Sequence, residues 1–260
     1  MIFVGIDVGG KNAHIVIVKD GNLLTKGAVA TGIKKAEAAE KLYDETLKKS
    51  GLAREDVRNV VATGSAGKRV SFATLVIPDA VADARGVNCL IPSARIVIDV
   101  GAEEGRAIKI RPDGKVLDFA VNEKCAAGTG TFVETMARAL EITVEEMARL
   151  SSTSNQSISL NAQCAVFGES EVISLIHQRV AKQDIAKAVH DAVAGRIASL
   201  ARAVGLEQDI VMIGGVAKND GLVDALKKEI DMDLIVPQDP EYMGALGAAD
   251  MAAAGLCNEK

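Results

Sequence analysis

The feature that most constrains the fold of this chain is a pattern of strands and turns that occurs twice. In the first copy, over residues 3–29, an apolar strand ends at Asp7 and leads through a glycine turn, a second strand and an Asp-Gly hairpin. The second copy, over residues 96–119, has the same order and places Asp99 at the end of its first strand. Apolar runs separated by glycine and Asp-Gly turns are typical of antiparallel hairpins. Their repetition indicates an internal duplication and therefore two related domains.

Segments with a helical spacing of apolar residues follow each copy, and three further strands accompany them. This alternation predicts an α/β architecture with mixed sheets. We place the first domain at residues 1–94 and the second at residues 95–240, and we expect a closing helix in residues 241–260 to pack back on the first domain. The predicted helices span Ala36–Ser50, Gly130–Leu140, Val144–Leu150, Val166–Gln178, Ile185–Val204, Leu222–Ile230 and Gly244–Ala254, and the further strands span Val57–Thr63, Ile210–Ile213 and Leu234–Val236.

Composition and charge argue against several classes of function. The chain of 260 residues has a formal net charge of −5 and no long basic run, which gives a nucleic acid little to bind. It has no uncharged apolar run of about 18 residues, as a membrane span requires, and its first residues do not resemble a signal peptide. Its four cysteines include no C-x-x-C pair and do not suggest a secreted disulfide framework. We therefore expect a cytoplasmic protein.

The two aspartate turns have the chemistry of a nucleotide site. A carboxylate at the end of a strand can hold Mg²⁺ or orient a water, and the glycines that follow let backbone amides approach phosphates. Lys11 and Asn12 add donors to the first turn. The chain has neither a P-loop sequence nor a G-x-G-x-x-G fingerprint. One Asp-x-Gly alone is more typical of a structural turn, but two in register, with a Gly-Gly turn after a third strand at residues 213–219, indicate a site.

These three turns resemble those of the superfamily of actin, sugar kinases and chaperone ATPases. The resemblance implies two ribonuclease-H-like domains with ATP in the cleft between them. It implies that the first phosphate loop contains Asp7, that the second contains Asp99, and that the Gly-Gly turn faces the nucleoside. The residues implied to bind the cofactor are Gly9, Gly10, Lys11 and Asn12 in the first loop, Gly101 and Ala102 in the second, and Gly214, Gly215, Lys218 and Asn219 in the third.

Two cysteines each precede a predicted helix. Cys125 lies just before Gly128, Thr129 and Gly130, and Cys164 lies directly before an apolar helix. A helix N-terminus favours a thiolate and offers free amides, which suits an iron–sulfur cluster. Two ligands are half of what a cubane cluster needs. Cys89 and Cys257 would supply four within one chain, although Cys257 lies in a polar tail, and a two-fold dimer sharing one cluster would supply four by symmetry.

The segments around these cysteines, Lys-Cys-Ala-Ala-Gly-Thr-Gly and Cys-Ala-Val-Phe-Gly-Glu-Ser-Glu, resemble the family of 2-hydroxyacyl-CoA dehydratase activators, benzoyl-CoA reductase ATP-binding subunits and double-cubane cluster protein reductases. The resemblance implies an oxygen-sensitive dimer of an anaerobe, with Cys125 and Cys164 of each subunit ligating one [4Fe-4S] cluster. It also implies ATP, ADP and Mg²⁺ as cofactors, with the Gly128–Gly130 turn near them. The expected activity is ATP-driven transfer of one electron from a ferredoxin or flavodoxin to a partner iron–sulfur enzyme.

The chain departs from that family in three places. Gly101-Ala102-Glu103-Glu104 replaces the usual Gly-Gly-Gln-Asp, so Glu103 is the expected water-positioning residue and Glu104 is the alternative. Lys11-Asn12 replaces Ser-Thr, and Ala82-Asp83 replaces Cys-His.

Two other functions stay open, namely a small-molecule kinase and a nucleotide-dependent interaction protein, both of the same superfamily and without a cluster. The electron acceptor and the choice between homodimer and heterodimer are also open.

Overall fold

A computed structural model of the chain describes residues 1–122, 129–160 and 165–254. Cys125, Cys164 and Gly128 lie outside these residues. The chain divides into two compact units. The first contains Met1–Val97, Ile110–Leu117 and the described residues from Glu241 onward, and the second contains Ile98–Lys109 and the described residues between Asp118 and Pro240.

The first sheet has five strands in the order β3-β2-β1-β4-β5. Strand β1 pairs antiparallel with β2 and parallel with β4, so it lies at the centre of a mixed sheet. β1 is almost fully apolar and buried, and five of the seven residues of β4 are buried, as expected of strands covered on both faces. The strands are β1 (Ile2–Val8), β2 (Asn12–Lys19), β3 (Asn22–Ala30), β4 (Val57–Thr63) and β5 (Leu75–Val76), and helices α1 (Lys35–Lys49) and α2 (Asp79–Leu90) accompany them.

The second sheet repeats this topology. Its order is β10-β9-β6-β7-β8, which is the order of the first sheet with each strand replaced by its counterpart in the second half of the chain. The repeated pattern in the sequence is therefore present as two sheets of the same connectivity, and the predicted α/β fold class is confirmed. The strands are β6 (Ile96–Val100), β7 (Gly105–Ile110), β8 (Val116–Asn122), β9 (Ile210–Ile213) and β10 (Leu234–Ile235).

In the described residues after the second hairpin there are six further helices, and each lies within a few residues of its predicted position. They are α3 (Gly130–Ala139), α4 (Val144–Ser151), α5 (Ala165–His177), α6 (Lys182–Ala203), α7 (Asp220–Ile230) and α8 (Met243–Ala253). None of the helices in the described ranges is long and apolar enough to cross a membrane.

Helix α2 was not predicted from the sequence, because its inward face is made of small and polar residues rather than large apolar ones. Its buried residues include Ala82, Asp83 and Gly86. A methyl group at Gly86 would overlap the backbone carbonyl of Met243 in α8, and one at Gly247 would overlap that of Ala82. The two helices therefore contact each other through their backbones, which only small residues permit.

Candidate functional site

The two aspartate turns have the same hydrogen-bonded geometry. In the β1–β2 turn the amide of Gly9 donates to the carbonyl of Asn12 at 3.0 Å. In the β6–β7 turn the amide of Gly101 donates to the carbonyl of Glu104 at 2.9 Å. The first turn therefore presents Gly10 and Lys11 at its tip, and the second presents Ala102 and Glu103.

Each strand-end aspartate is packed against a glycine that directly follows the neighbouring strand. Gly64 follows β4 and has a φ of 91°, while Gly214 follows β9 and has a φ of 87°. A methyl group at Gly214 would lie 2.5 Å from Oδ1 of Asp99, and one at Gly64 would overlap Oδ1 of Asp7. Both positions thus require glycine for space and for backbone conformation. Gly64 is the counterpart of Gly214 that the sequence analysis missed, although its place after the equivalent strand was a usable signal.

A second carboxylate lies close to Asp7 in the first unit. A methyl group built on Gly244 would be 3.0 Å from Oδ2 of Asp7 and 3.1 Å from Oδ1 of Asp83. Asp83 is buried on helix α2. Sequence reasoning could not place it here, because α2 was not predicted and because the family has a different residue at this position.

In the second unit, Arg106 on β7 bridges two acidic side chains. Its Nη1 lies 3.0 Å from Oδ2 of Asp99, and its Nη2 lies 2.5 Å from Oε2 of Glu104. The Arg106 side chain is 11% exposed and that of Asp99 is 14% exposed, so this ion pair is shielded from water, whereas Glu104 is partly exposed. Arg106 sets the direction of both carboxylates. Glu103 lies exposed at the tip of the turn. Arg106 was missed because its distance from Asp99 in the sequence does not show that the hairpin brings the two together.

The start of helix α3 is bonded to the second turn. The amide of Gly130 donates to the carbonyl of Gly101 at 2.9 Å, and that of Thr131 donates to the carbonyl of Ala102 at 3.0 Å. The hydroxyl of Thr131 donates to the same Ala102 carbonyl at 2.6 Å. Thr129, just before the helix, is fully buried. Residues 129–131 therefore join this turn to the segment that contains Cys125.

The third predicted loop, between β9 and α7, is built around Asn219. Its Oδ1 accepts a hydrogen bond from the amide of Leu222 at 3.1 Å and caps helix α7. Its Nδ2 lies 3.3 Å from Nε2 of His190 on α6. Asn219 is only 7% exposed, so its side chain supports the turn from inside, whereas Gly215 and Lys218 are exposed on it.

Burial keeps His190 neutral, and this gives a testable pH dependence. Burial lowers the pKa of His190 to about 4, against a smaller opposing effect of Asp191. Because the unfolded histidine titrates near its ordinary pKa of about 6.5, the unfolded state binds the extra proton first as the pH falls. The contribution to the free energy of unfolding should therefore be complete above pH ~6.5 and decrease by about 3 kcal/mol towards pH ~4. Urea unfolding across this range would measure the loss, and His190→Gln should show a smaller one; equal slopes would contradict the prediction.

The helices that follow the two predicted ligand cysteines pack against each other. A methyl group at Gly168 of α5 would lie 3.0 Å from the ring of Phe132 in α3. Close to Cys164, α5 also exposes large apolar side chains, with Val166 at 68% and Phe167 at 69%. Within residues 1–122, 129–160 and 165–254, no group of three or more potential metal ligands occurs.

Comparison with known sequences gives one consistent result. Residues 4–252 match the BadF/BadG/BcrA/BcrD ATPase family. The chain is 40% identical to the 2-hydroxyisocaproyl-CoA dehydratase activator of Clostridioides difficile, over 96% of this chain and 94% of that protein. It is 41% identical to the activator of lactoyl-CoA dehydratase of Anaerotignum propionicum, over 96% of both.

Solved structures agree with the sequence comparison. The activator of the 2-hydroxyisocaproyl-CoA dehydratase from Clostridium difficile, solved with bound ADPNP, superposes with a TM-score of 0.91 at 37% identity, over 100% of this chain and 98% of that one. A ROK family glucokinase from Streptomyces griseus shares the fold at 17% identity, with a TM-score of 0.60 over 98% of this chain and 100% of that one. The predicted relation to the sugar kinase superfamily is thus confirmed at the level of the fold.

Proposed function

Because the chain belongs to the BadF/BadG/BcrA/BcrD ATPase family, we propose that it is an ATP-dependent activator that delivers one low-potential electron to a partner iron–sulfur enzyme. The acceptor would be a 2-hydroxyacyl-CoA dehydratase, a benzoyl-CoA reductase or a double-cubane cluster protein, and a ferredoxin or flavodoxin would supply the electron. The observation that supports this most strongly is the bonding of the second aspartate turn to the start of α3. It connects a proposed nucleotide loop to the segment that contains Cys125.

We assign the phosphates of ATP to the two aspartate turns. In the first unit, Gly9, Gly10, Lys11 and Asn12 would surround a phosphate, and in the second unit Gly101 and Ala102 would do so. Asp7 and Asp99 would hold Mg²⁺ or its waters, with the ion neutralising charge on the phosphates. Gly214, Gly215 and Lys218 would lie along the nucleoside. The relative solved with ADPNP supports the nucleotide assignment.

Glu103 is the proposed water-positioning carboxylate. The carboxylate of Glu104 is engaged by Arg106 at 2.5 Å, which holds it in one direction and leaves it less free to turn towards an attacking water. Glu103 is next to it at the exposed tip of the turn. Arg106 also sets the direction of Asp99. Exposure at the tip of the turn therefore favours Glu103 over Glu104 for this role.

Movement of the second turn would reach the proposed cluster ligands through α3. Any displacement of Gly101 or Ala102 must either move residues 129–131 or break their hydrogen bonds. α3 packs on α5 at Gly168. A movement of α3 would therefore also shift α5, and with it the segments just before the two helices, which contain Cys125 and Cys164. A cluster on these thiolates would store one electron, and each ~59 mV of uphill transfer would cost about 1.4 kcal/mol.

We propose a dimer that shares the cluster, with two cysteines from each subunit. The exposed Val166 and Phe167 beside Cys164 support a protein contact at this end of α5, because exposed large apolar side chains in a group are typical of interfaces. A homodimer is the simpler arrangement, and a heterodimer with a paralogous subunit would use the same residues.

The test is the iron content of protein purified without oxygen. The wild type should be brown with about four irons per dimer, and Cys125→Ala should lose both the colour and the iron. Cys89→Ala makes the same chemical change at an exposed cysteine on α2 and should keep both. ATP binding by each variant, measured by calorimetry, would show that Cys125→Ala is still folded.

A colourless, iron-free wild type from rigorously anaerobic cells would defeat the cluster assignment. If that protein still bound ATP, the kinase and interaction-protein alternatives would account for the nucleotide site. Loss of iron in Cys89→Ala would instead mean that one chain supplies more than two ligands, which would contradict the shared cluster.

A further inference from the structure

A buried chain of hydrogen bonds joins three elements of the second unit. Nδ1 of His190 on α6 lies 2.9 Å from the hydroxyl of Ser151 on α4, and Nε2 lies 3.3 Å from Nδ2 of Asn219. His190 is 1% exposed, and Ser151 and Asn219 are nearly as buried. A methyl group at Gly221 would lie 2.5 Å from the Ser151 hydroxyl and 2.9 Å from the His190 ring, so the group is closely packed.

The donor and the acceptor of each hydrogen bond in this buried group can be assigned from its two ends, Asn219 and Ser151. Oδ1 of Asn219 accepts from the amide of Leu222, so the NH₂ group of Asn219 faces His190 and donates to Nε2. Nε2 must then be the acceptor nitrogen, and the ring proton lies on Nδ1 and points to Ser151. The Ser151 hydroxyl donates in turn to the carbonyl of Ala148 at 2.9 Å. Each of the three side chains therefore has matched partners in this tautomer.

We infer that His190 is a positioning residue for the turn between β9 and α7, acting through Asn219. The inference rests on the nucleotide role proposed above for that turn. The backbone of Asn219 donates to the carbonyl of Val216 at 2.9 Å, and Ala217 donates to that of Gly214 at 3.2 Å. Asn219 thus closes a turn that begins at Gly214.

The turn leaves little freedom at its first residue. Gly214 has a φ of 87° and lies against Asp99, so that even a methyl group has no space between them. A shift of Asn219 would move the carbonyls and amides of the turn relative to Asp99. His190 never contacts this surface itself, and its effect on nucleotide binding comes from the direction that it gives to the Asn219 amide.

Two conservative variants separate this role from general packing. In His190→Gln, the carbonyl oxygen can take the place of Nε2 and accept from Asn219, whereas in His190→Asn the shorter amide can replace only the donor at Nδ1. Both lose the ring and should lose comparable thermal stability. We expect His190→Asn to weaken ATP binding on the order of tenfold, because the Asn219 amide loses its buried acceptor. His190→Gln should restore most of that affinity.

The measurements are calorimetric ATP titrations below the melting temperature of each variant, with thermal unfolding in parallel. Equal ATP affinity for His190→Asn and wild type, or equal weakening in both variants, would overturn the positioning role. Failure of the wild type to bind ATP would instead defeat the proposed nucleotide site. Ring ¹⁵N shifts of the three histidines, with His190→Gln identifying the signal, give an independent readout. A proton on Nε2 of His190 would contradict the assigned tautomer, in which Nε2 accepts the hydrogen bond from Asn219.

Discussion

Replacing Gly214 with alanine is expected to abolish measurable ATP binding. The new methyl group would lie 2.5 Å from Oδ1 of Asp99 and 2.5 Å from the carbonyl of Val100, which is far inside van der Waals contact. The residue also has a φ of 87°, a conformation that costs an alanine about 1–2 kcal/mol. The turn or Asp99 must move, and both belong to the proposed nucleotide site. Calorimetric titration with ATP would measure the loss.

Gly205→Ala is the matched control, because it separates backbone strain from steric overlap. Gly205 follows α6 in the same unit and has a φ of 79°, but the nearest atom to an added methyl group is Nζ of Lys109 at 3.7 Å. This variant should lose about 1 kcal/mol of stability and bind ATP like the wild type. Unchanged ATP affinity in Gly214→Ala would show that the turn does not contribute to the site.

Replacing Gly247 with alanine is expected to unfold the first unit. A methyl group at this position of α8 would overlap the carbonyl of Ala82 and lie within 2.6 Å of the amide of Gly86 in α2. Both obstacles are backbone atoms of a helix and cannot turn away as a side chain would. Overpacking of this kind costs about 3 kcal/mol or more. Because α8 also packs on β1 at Gly5, its displacement would expose the centre of the first sheet.

The same substitution at Gly195 provides the comparison for helices. Gly195 lies in α6, and an added methyl group there meets no atom within 4 Å apart from its chain neighbours and the backbone of its own helix. Alanine has the higher helix propensity, so Gly195→Ala should gain about 0.5–1 kcal/mol. Thermal and urea unfolding of both variants would measure the contrast. A Gly247→Ala protein as stable as the wild type would mean that α2 and α8 do not contact each other as closely as the structure shows.

Helices and strands could be predicted from the sequence where their own residues show a regular apolar spacing or a characteristic turn. Helices α1 and α3 to α8 have apolar residues at helical spacing, and each was predicted within a few residues of its limits. The repeated strands were predicted for the same reason, since alternation and Asp-Gly turns are local signals. Helix α2 has no such signal, because its contact with α8 requires glycine and alanine where an amphipathic helix would show large apolar residues.

The residues of the candidate site also fall into two groups, those identified from the sequence and those found only in the structure. Asp7 and Asp99 were identified from the sequence because each ends an apolar strand before a glycine turn. Arg106, Gly64 and Asp83 were not, because their importance comes from what they contact. Asn219 was predicted to face the nucleoside, and the structure shows its side chain buried as a helix cap beneath the turn.

The amino-acid sequence was sufficient to predict the duplicated α/β topology, the strand-end aspartates and the family. These follow from periodicity and turn residues that lie close together along the chain. The folded structure was needed to show that Arg106 orients Asp99, that α3 is bonded to the second turn, and that His190 contacts Asn219. Such contacts join residues whose separation in the sequence has no fixed relation to their distance in space. They form because packing of the sheets and helices buries polar atoms, and each buried polar atom must then hydrogen-bond to a partner that the packing brings close.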